Sequence, residues 1–133
     1  FGDKGGASRF FYCAKPSRSE RNDGCDELPE KFNPTMNDGI GKREHSELDP
    51  RSHTTNHHPT VKPIKLMSYW ANMITPTNGI ILDCFNGSGT TGLAALSSGF
   101  KYLGVEKELE YCDISLARFE KFTGKTASLT AGK

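Results

Sequence analysis

The sequence predicts an α/β fold in which parallel strands are flanked by helices, and three observations carry that prediction. Short apolar runs and amphipathic stretches alternate through the second half of the chain, the pattern of strands joined by crossover helices. The apolar run Ile80-Ile-Leu82 leads directly into a glycine-rich turn and then into a helical stretch. Breakers stand at the expected joints: Pro76, Gly99 and Gly124.

Each element has its own reason. The spacing of Ile64, Met67, Trp70 or Ala71, and Ile74 predicts a helix over 62–75, with Pro63 in its first turn, Thr60 near its start and Pro76 as its stop. A strand follows over 79–84, a helix over 90–98, a second strand over 101–106 and a helix over 108–122. Leu109, Cys112, Leu116 and Phe119 share one face of the last helix. Upstream, residues 8–14 read as a short strand of the same sheet, with Phe10 and Tyr12 on one side and Phe11 and Cys13 on the other. Residues 15–57 are polar and rich in Gly, Pro, Asn and Asp, with no sustained period. They read as a long loop or insertion, serving target recognition or ordered only with a partner, and more mobile than residues 60–122. The core domain is expected over 58–123, and 124–133 as a flexible tail.

Composition sets bounds. The chain has 133 residues, 35% of them hydrophobic, and a net charge of +1, which fits one small domain with a modest core. Charge alone does not point to nucleic acid. No apolar run is long enough to cross a membrane and no signal-peptide pattern begins the chain, so the default location is cytoplasmic. Cys13, Cys25, Cys84 and Cys112 have no paired spacing and read as reduced thiols. The histidines all lie between 45 and 58 but lack metal-ligand spacing, so no metal is expected.

The chemistry concentrates in Asp83-Cys-Phe-Asn-Gly-Ser-Gly-Thr-Thr-Gly92. Glycines at 87, 89 and 92 permit a sharp turn and a close ligand, and the helix that follows offers unpaired N–H groups and a partial positive charge. Asp83 stands ahead of the first glycine, where a carboxylate could meet a cation. A cofactor with both an ammonium and a carboxylate, such as S-adenosyl-L-methionine (AdoMet), suits that pairing. The glycines alone also fit the dinucleotide fingerprint, or a tight turn that binds nothing. Glu106 ends the next strand about 20 residues beyond the first glycine, in reach of ribose hydroxyls in a βαβ unit. Lys62, at the start of a helix, runs against the dipole preference, which suggests a job for its charge such as holding a carboxylate.

Together these residues resemble the amino-directed DNA methyltransferases, which methylate adenine N6 or cytosine N4. His58-Pro-Thr-Val-Lys-Pro63 looks like that family's first AdoMet-contacting segment. Asp83-Cys-Phe-Asn-Gly-Ser-Gly-Thr-Thr91 looks like its AdoMet loop, with Cys84 where proline is common. Gly104-Val-Glu106 is similar to its ribose-binding acid. The resemblance covers roughly residues 58 to 120. Arg9-Phe-Phe-Tyr-Cys-Ala-Lys-Pro-Ser17 resembles, more loosely, a segment of phage and prophage members.

The resemblance implies a Rossmann-like AdoMet-dependent methyltransferase fold, here partial, with AdoMet as cofactor and double-stranded DNA as partner. It implies cofactor-binding roles for Thr60, Lys62, Asp83, Phe85, Gly87, Ser88, Gly89, Thr90, Thr91 and Glu106. Thr60 and Lys62 would hold the carboxylate, Asp83 would meet the methionine end, and Glu106 the ribose.

The family's catalytic loop, of the type Asp-Pro-Pro-Tyr, has no counterpart. Asn33-Pro34 and Asp49-Pro50 lack the second proline and the aromatic ring that stacks on a flipped base. The chain therefore reads as the C-terminal part of a longer enzyme, with no catalytic residue of its own. It is expected to be inactive alone and to associate with itself or with the missing N-terminal half. The competing readings are a nicotinamide- or nucleotide-binding oxidoreductase domain and a non-enzymatic zinc or nucleic-acid module. The first sits poorly with an acid ahead of a pyrophosphate loop.

Overall fold

A computed structural model describes residues 15–33 and 53–130. The expected strand over 8–14 lies outside them. At the centre, strand β3 (Ile80–Asp83) pairs in parallel with β4 (Lys101–Gly104), in a register that sets Ile80 beside Lys101 and Asp83 beside Gly104. A parallel pair needs a crossover, and helix α3 (Thr90–Ser97) supplies it. α3 contacts both strands, α2 (Ile64–Ile74) and α4 (Leu109–Thr123). Its sequence explains that position: Leu93, Ala94 and Ala95 are buried, and small side chains let neighbouring backbones come close. α4 ends at Gly124 in the left-handed region, whose N–H bonds the Glu120 carbonyl at 2.8 Å.

The parallel α/β class expected from the sequence is the one observed. Boundaries differ by a residue or two, where end groups change partner. β4 stops at Gly104 because the chain bends toward the glycine loop, although Val105 N–H still bonds Asp83 O at 2.8 Å and Asn86 N–H bonds Val105 O at 3.0 Å. α2 starts at Ile64, not 62: Pro63 is its N-cap, with extended backbone and no side-chain cap bond. Lys62 thus stands ahead of the helix, outside its first turn, where the dipole does not oppose its charge as expected. Of the apolar face expected on α2, Ala71 is buried, whereas Trp70 and Ile74 are exposed. α3 packs against α2, and Ala71 is the α2 residue that becomes buried.

The sheet is covered on one face. Tyr102 turns toward α4 and stacks edge-on to Phe119, with ring centroids 6.0 Å apart. Ile80, Leu82, Leu103 and Val105 are more than half exposed, since no described element packs over them.

Part of the stretch read as a polar loop is regular structure. Residues 18–22 form α1 (Arg18–Asn22), and β1 (Lys31–Phe32) pairs antiparallel with β2 (His53–Thr54). Periodicity missed them because a two-residue strand and a five-residue helix are shorter than any window that reveals a period. Side-chain hydrogen bonds and one buried thiol hold them instead: Cys25 is fully buried. Gly24 lies so close to α4 that a Cβ there would sit 2.9 Å from Lys121 Cβ.

Candidate cofactor-binding site

The end of β3 and the start of α3 set the site's floor. Asp83 closes β3, and its Oδ1 accepts from Phe85 N–H at 3.0 Å, which turns the chain out of the sheet. Asn86 fixes the next step. Its Oδ1 accepts from the Tyr102 hydroxyl at 2.7 Å and its carbonyl accepts from Gly89 N–H at 2.9 Å. Burial, then the nearby Asp83 charge, pushes the Tyr102 hydroxyl well above its ordinary range, so it donates. Gly89 then enters the left-handed region with φ 75° and becomes the N-cap of α3.

The opposite wall is the extended segment ahead of α2 together with Met67 of α2 itself. His58, Thr60, Lys62 and Met67 face Asp83, Phe85, Asn86, Gly87, Ser88, Thr90 and Thr91 across one cleft of about 240 Å³. Phe85 is 89% exposed and forms its rim. His58 Nδ1 accepts from Thr60 N–H at 3.3 Å, which assigns the neutral ring's proton to Nε2. Burial holds the His58 pKa below its usual value; Glu106 opposes this and the charges of Arg21, His57 and Lys62 assist it.

Three residues expected near the ligand have other geometry. Gly89 and Gly92 turn toward the protein's own interior: an added Cβ would meet Phe119 Cζ at 2.9 Å from Gly89 and at 2.6 Å from Gly92. They are glycines because α4 and β4 approach, so close packing accounts for them without a ligand. Only Gly87 lies on the cleft, and there the crowding neighbour is His58 Nε2, 2.6 Å from an added Cβ. Glu106 does not line the cleft. Its Oε2 accepts from Gly87 N–H at 2.7 Å and its Oε1 from Lys107 and Glu108 N–H at 2.9 and 3.1 Å. Burial raises its pKa, but bonds from Glu108, Gly87 and Lys107 and the nearby His58 outweigh burial and hold the pKa below the ordinary carboxylate value. A carboxylate has about four lone-pair sites, so capacity for a ribose hydroxyl remains beside these bonds.

Sequence reasoning missed the residue that holds the loop from behind. Arg118 of α4 is 2% exposed, and its Nη1 donates to Ser88 O at 2.6 Å, Thr90 Oγ1 at 3.1 Å and Ser88 Oγ at 3.2 Å. Its Nε and Nη2 have no hydrogen-bond partner among the described residues. Burial lowers its pKa, opposed by Cys25, Glu20 and Asp23. Burial pushes the Cys25 thiol up to about 11 although Arg118 pulls it down, so Cys25 stays a thiol. A long basic residue on an otherwise apolar helix face, beside Cys112, Ser115 and Phe119, was the available signal. His58 and Asn86 were also missed as lining residues, though both lie inside the quoted motifs. Of the weak catalytic-loop candidates, Asn33 is buried and donates to His57 O at 3.1 Å, a structural bond; Asp49 lies outside the described residues. No three His, Cys, Asp or Glu converge as metal ligands among the described residues, and no described helix is long and apolar enough to cross a membrane.

A glycine-rich turn from a parallel strand into a helix N-terminus recurs at nucleotide-cofactor sites, and the sequence itself decides which kind this is. Residues 7–117 match the DNA methylase family of N6 and N4 type, and the chain belongs to that family. Its members use AdoMet. Among curated relatives, the chain is 41% identical over 70 residues to the type II methyltransferase M2.MboI of Moraxella bovis, covering 53% of this chain and 26% of that protein. It is 40% identical over 63 residues to the DNA adenine methyltransferase YhdJ of Escherichia coli K12, covering 47% and 21%. Against the solved M1.HpyAVI complex with S-adenosylmethionine the identity is 42% and the TM-score 0.45, over 47% of this chain and 30% of that one, an overlay too partial to add weight. The chain thus spans about a quarter of the length of the curated relatives it matches. Family membership removes the support for the oxidoreductase alternative.

Proposed function

We propose that this chain is the AdoMet-binding part of a site-specific DNA methyltransferase that methylates an exocyclic amine, adenine N6 or cytosine N4. The observation that carries the reading is one cleft faced by Thr60 and Lys62 on one wall and by Asp83, Phe85, Ser88, Thr90 and Thr91 on the other, in a member of the DNA methylase family. The residues fit the cofactor chemically. Lys62 offers a cation to a carboxylate, Asp83 an anion to an ammonium, and Glu106, beside the Gly87 amide, a charged acceptor for ribose hydroxyls. The glycine loop opens on an α3 N-terminus without a side-chain cap, so backbone N–H groups are available to polar ligand atoms.

When bound, AdoMet supplies an electrophilic methyl group. The chain's residues bind and orient it, and the described residues offer no Asp-Pro-Pro-Tyr-like set to hold a target amine and stack a flipped base. Double-stranded DNA and the catalytic loop are therefore assigned to contacts with the remainder of the enzyme. The comparison that tests this is methyl transfer from tritiated AdoMet to mixed-sequence DNA, with and without a segment carrying the catalytic loop. Transfer only in its presence supports the reading; robust transfer by residues 1–133 alone overturns it.

A further inference from the structure

Helix α1 lies outside every motif that faces the cleft, yet its side chains hold the Thr60–Lys62 wall in place. Ser17-Arg-Ser-Glu20 has the pattern of a capping box, and Ser17 Oγ does accept from Glu20 N–H at 3.0 Å. The Glu20 carboxylate does not return to its own helix. It accepts from Ile64 N–H at 2.7 Å, across 44 positions of sequence, and so caps α2, whose own N-cap Pro63 has no side chain to offer. That places a negative charge at the positive end of α2, two residues after Lys62. Arg21 acts on the same wall from the other end. Its Nε donates to Asn56 O at 3.3 Å and its Nη2 to His58 O. Asn22 completes the clamp: its Oδ1 accepts from Thr54 Oγ1 at 2.6 Å and from Asn56 N–H at 3.3 Å, while Asn56 Nδ2 donates to Arg21 O at 2.7 Å. Asn56 and Thr54 are buried, so these bonds form away from competing water.

We propose that Glu20 and Arg21 are positioning residues of the cofactor site, which fix the wall carrying Thr60 and Lys62 and thereby set the grip on the amino-acid end of the cofactor. The inference rests on the AdoMet reading above. Between the Arg21 bond to His58 O and the Glu20 bond to Ile64 N–H, both ends of the five-residue stretch before α2 are tied to one short helix. The clamp's hydrogen bonds reach this wall and β2, and the charges of Glu20 and Arg21 also act on Arg118. The hydrogen bonds that hold the glycine loop come from Arg118, Tyr102 and Glu106, not from the clamp.

Two ligands separate this role from a general loss of structure. S-adenosylhomocysteine carries the amino-acid carboxylate; 5′-methylthioadenosine lacks it. In the chain bearing Glu20→Ala or Arg21→Met, affinity for S-adenosylhomocysteine should fall roughly three- to tenfold, the range expected for a lost cap or charged hydrogen bond. Affinity for methylthioadenosine should be unchanged, and Glu20→Gln, which keeps an acceptor oxygen, should recover most of the loss. Equal weakening of both ligands, or none, overturns the proposal. If the parent chain binds neither ligand, the AdoMet reading fails instead. The clamp is then decided by amide NMR: shifts at Lys62 and Ile64 in Glu20→Gln confined to that wall support it, and unchanged signals overturn it.

Discussion

Gly89 and Gly92 show how one residue type answers two questions. In the sequence they look like room for a ligand; in the structure the room is taken by Phe119 and Tyr102. Gly89→Ala adds a clash and strains a left-handed backbone, so a loss of roughly 1–3 kcal/mol is expected from chemical denaturation. Gly92→Ala should cost a similar amount through clash alone, with partial recovery when Phe119 is shortened to Leu in the same chain, because Tyr102 stands equally close. No recovery at all would assign the crowding to Tyr102.

At the same scale, Arg118→Met removes a buried cation together with its bonds to Ser88 and Thr90. Each bond to a charged donor is worth roughly 1.5–3 kcal/mol, and burying the charge costs several kcal/mol, so the two effects oppose. Global stability should change little, while amide exchange at Ser88, Gly89 and Thr90 should quicken. Glu106→Ala should weaken cofactor binding more than Glu108→Ala, because Glu106 holds the Gly87 loop whereas Glu108 is exposed and, among the described residues, ion-paired to its neighbour Lys107. Equal effects in calorimetry would place the ribose acid elsewhere.

Titration follows from His58 and Glu106. His58 has a folded pKa below its ordinary 6.5, so the unfolded chain binds more protons as pH falls through that value, and stability drops from there downward. Glu106, held below its ordinary 4.5, contributes stability above that value that is lost as pH falls further. Melting temperature should therefore decline in two stages on acidification from pH 7.5, the first stage absent in His58→Asn. A flat profile between pH 7.5 and 5 would contradict the burial of His58.

Among elements, those with a long period were legible. α3, α4, β3 and β4 could be placed to within a residue or two because hydrophobic spacing, Gly99 and Gly124 all agreed. The wall ahead of α2 was legible as a motif but not as a structure, since its conformation depends on α1, 44 positions away through Glu20. α1 and β1 were not legible, because polar side chains and not an apolar face secure them. The site followed the same division. Residues inside the motifs, Thr60, Lys62, Asp83 and Thr90, could be named, whereas Arg118 could not, because its role arises only when α4 packs behind the loop.

For the whole molecule, the parallel pair β3–β4 leaves Ile80, Leu82, Leu103 and Val105 exposed together, an apolar surface for which the described residues provide no cover. The chain spans about a quarter of the length of its curated relatives, and their further length is a natural source of that cover. Leu82→Lys and Leu103→Glu together should raise the solubility of the chain, read by light scattering, without loss of helical signal. Unchanged scattering would show that this face does not drive self-association.

The central claim is that the cleft between the Thr60–Lys62 wall and the Asp83–Thr91 loop takes AdoMet. Isothermal calorimetry of the chain with S-adenosylhomocysteine and with NAD tests it most directly, run alongside Asp83→Asn. Heat of binding with S-adenosylhomocysteine, reduced in Asp83→Asn and absent with NAD, is the result expected. Binding of NAD without S-adenosylhomocysteine would contradict it.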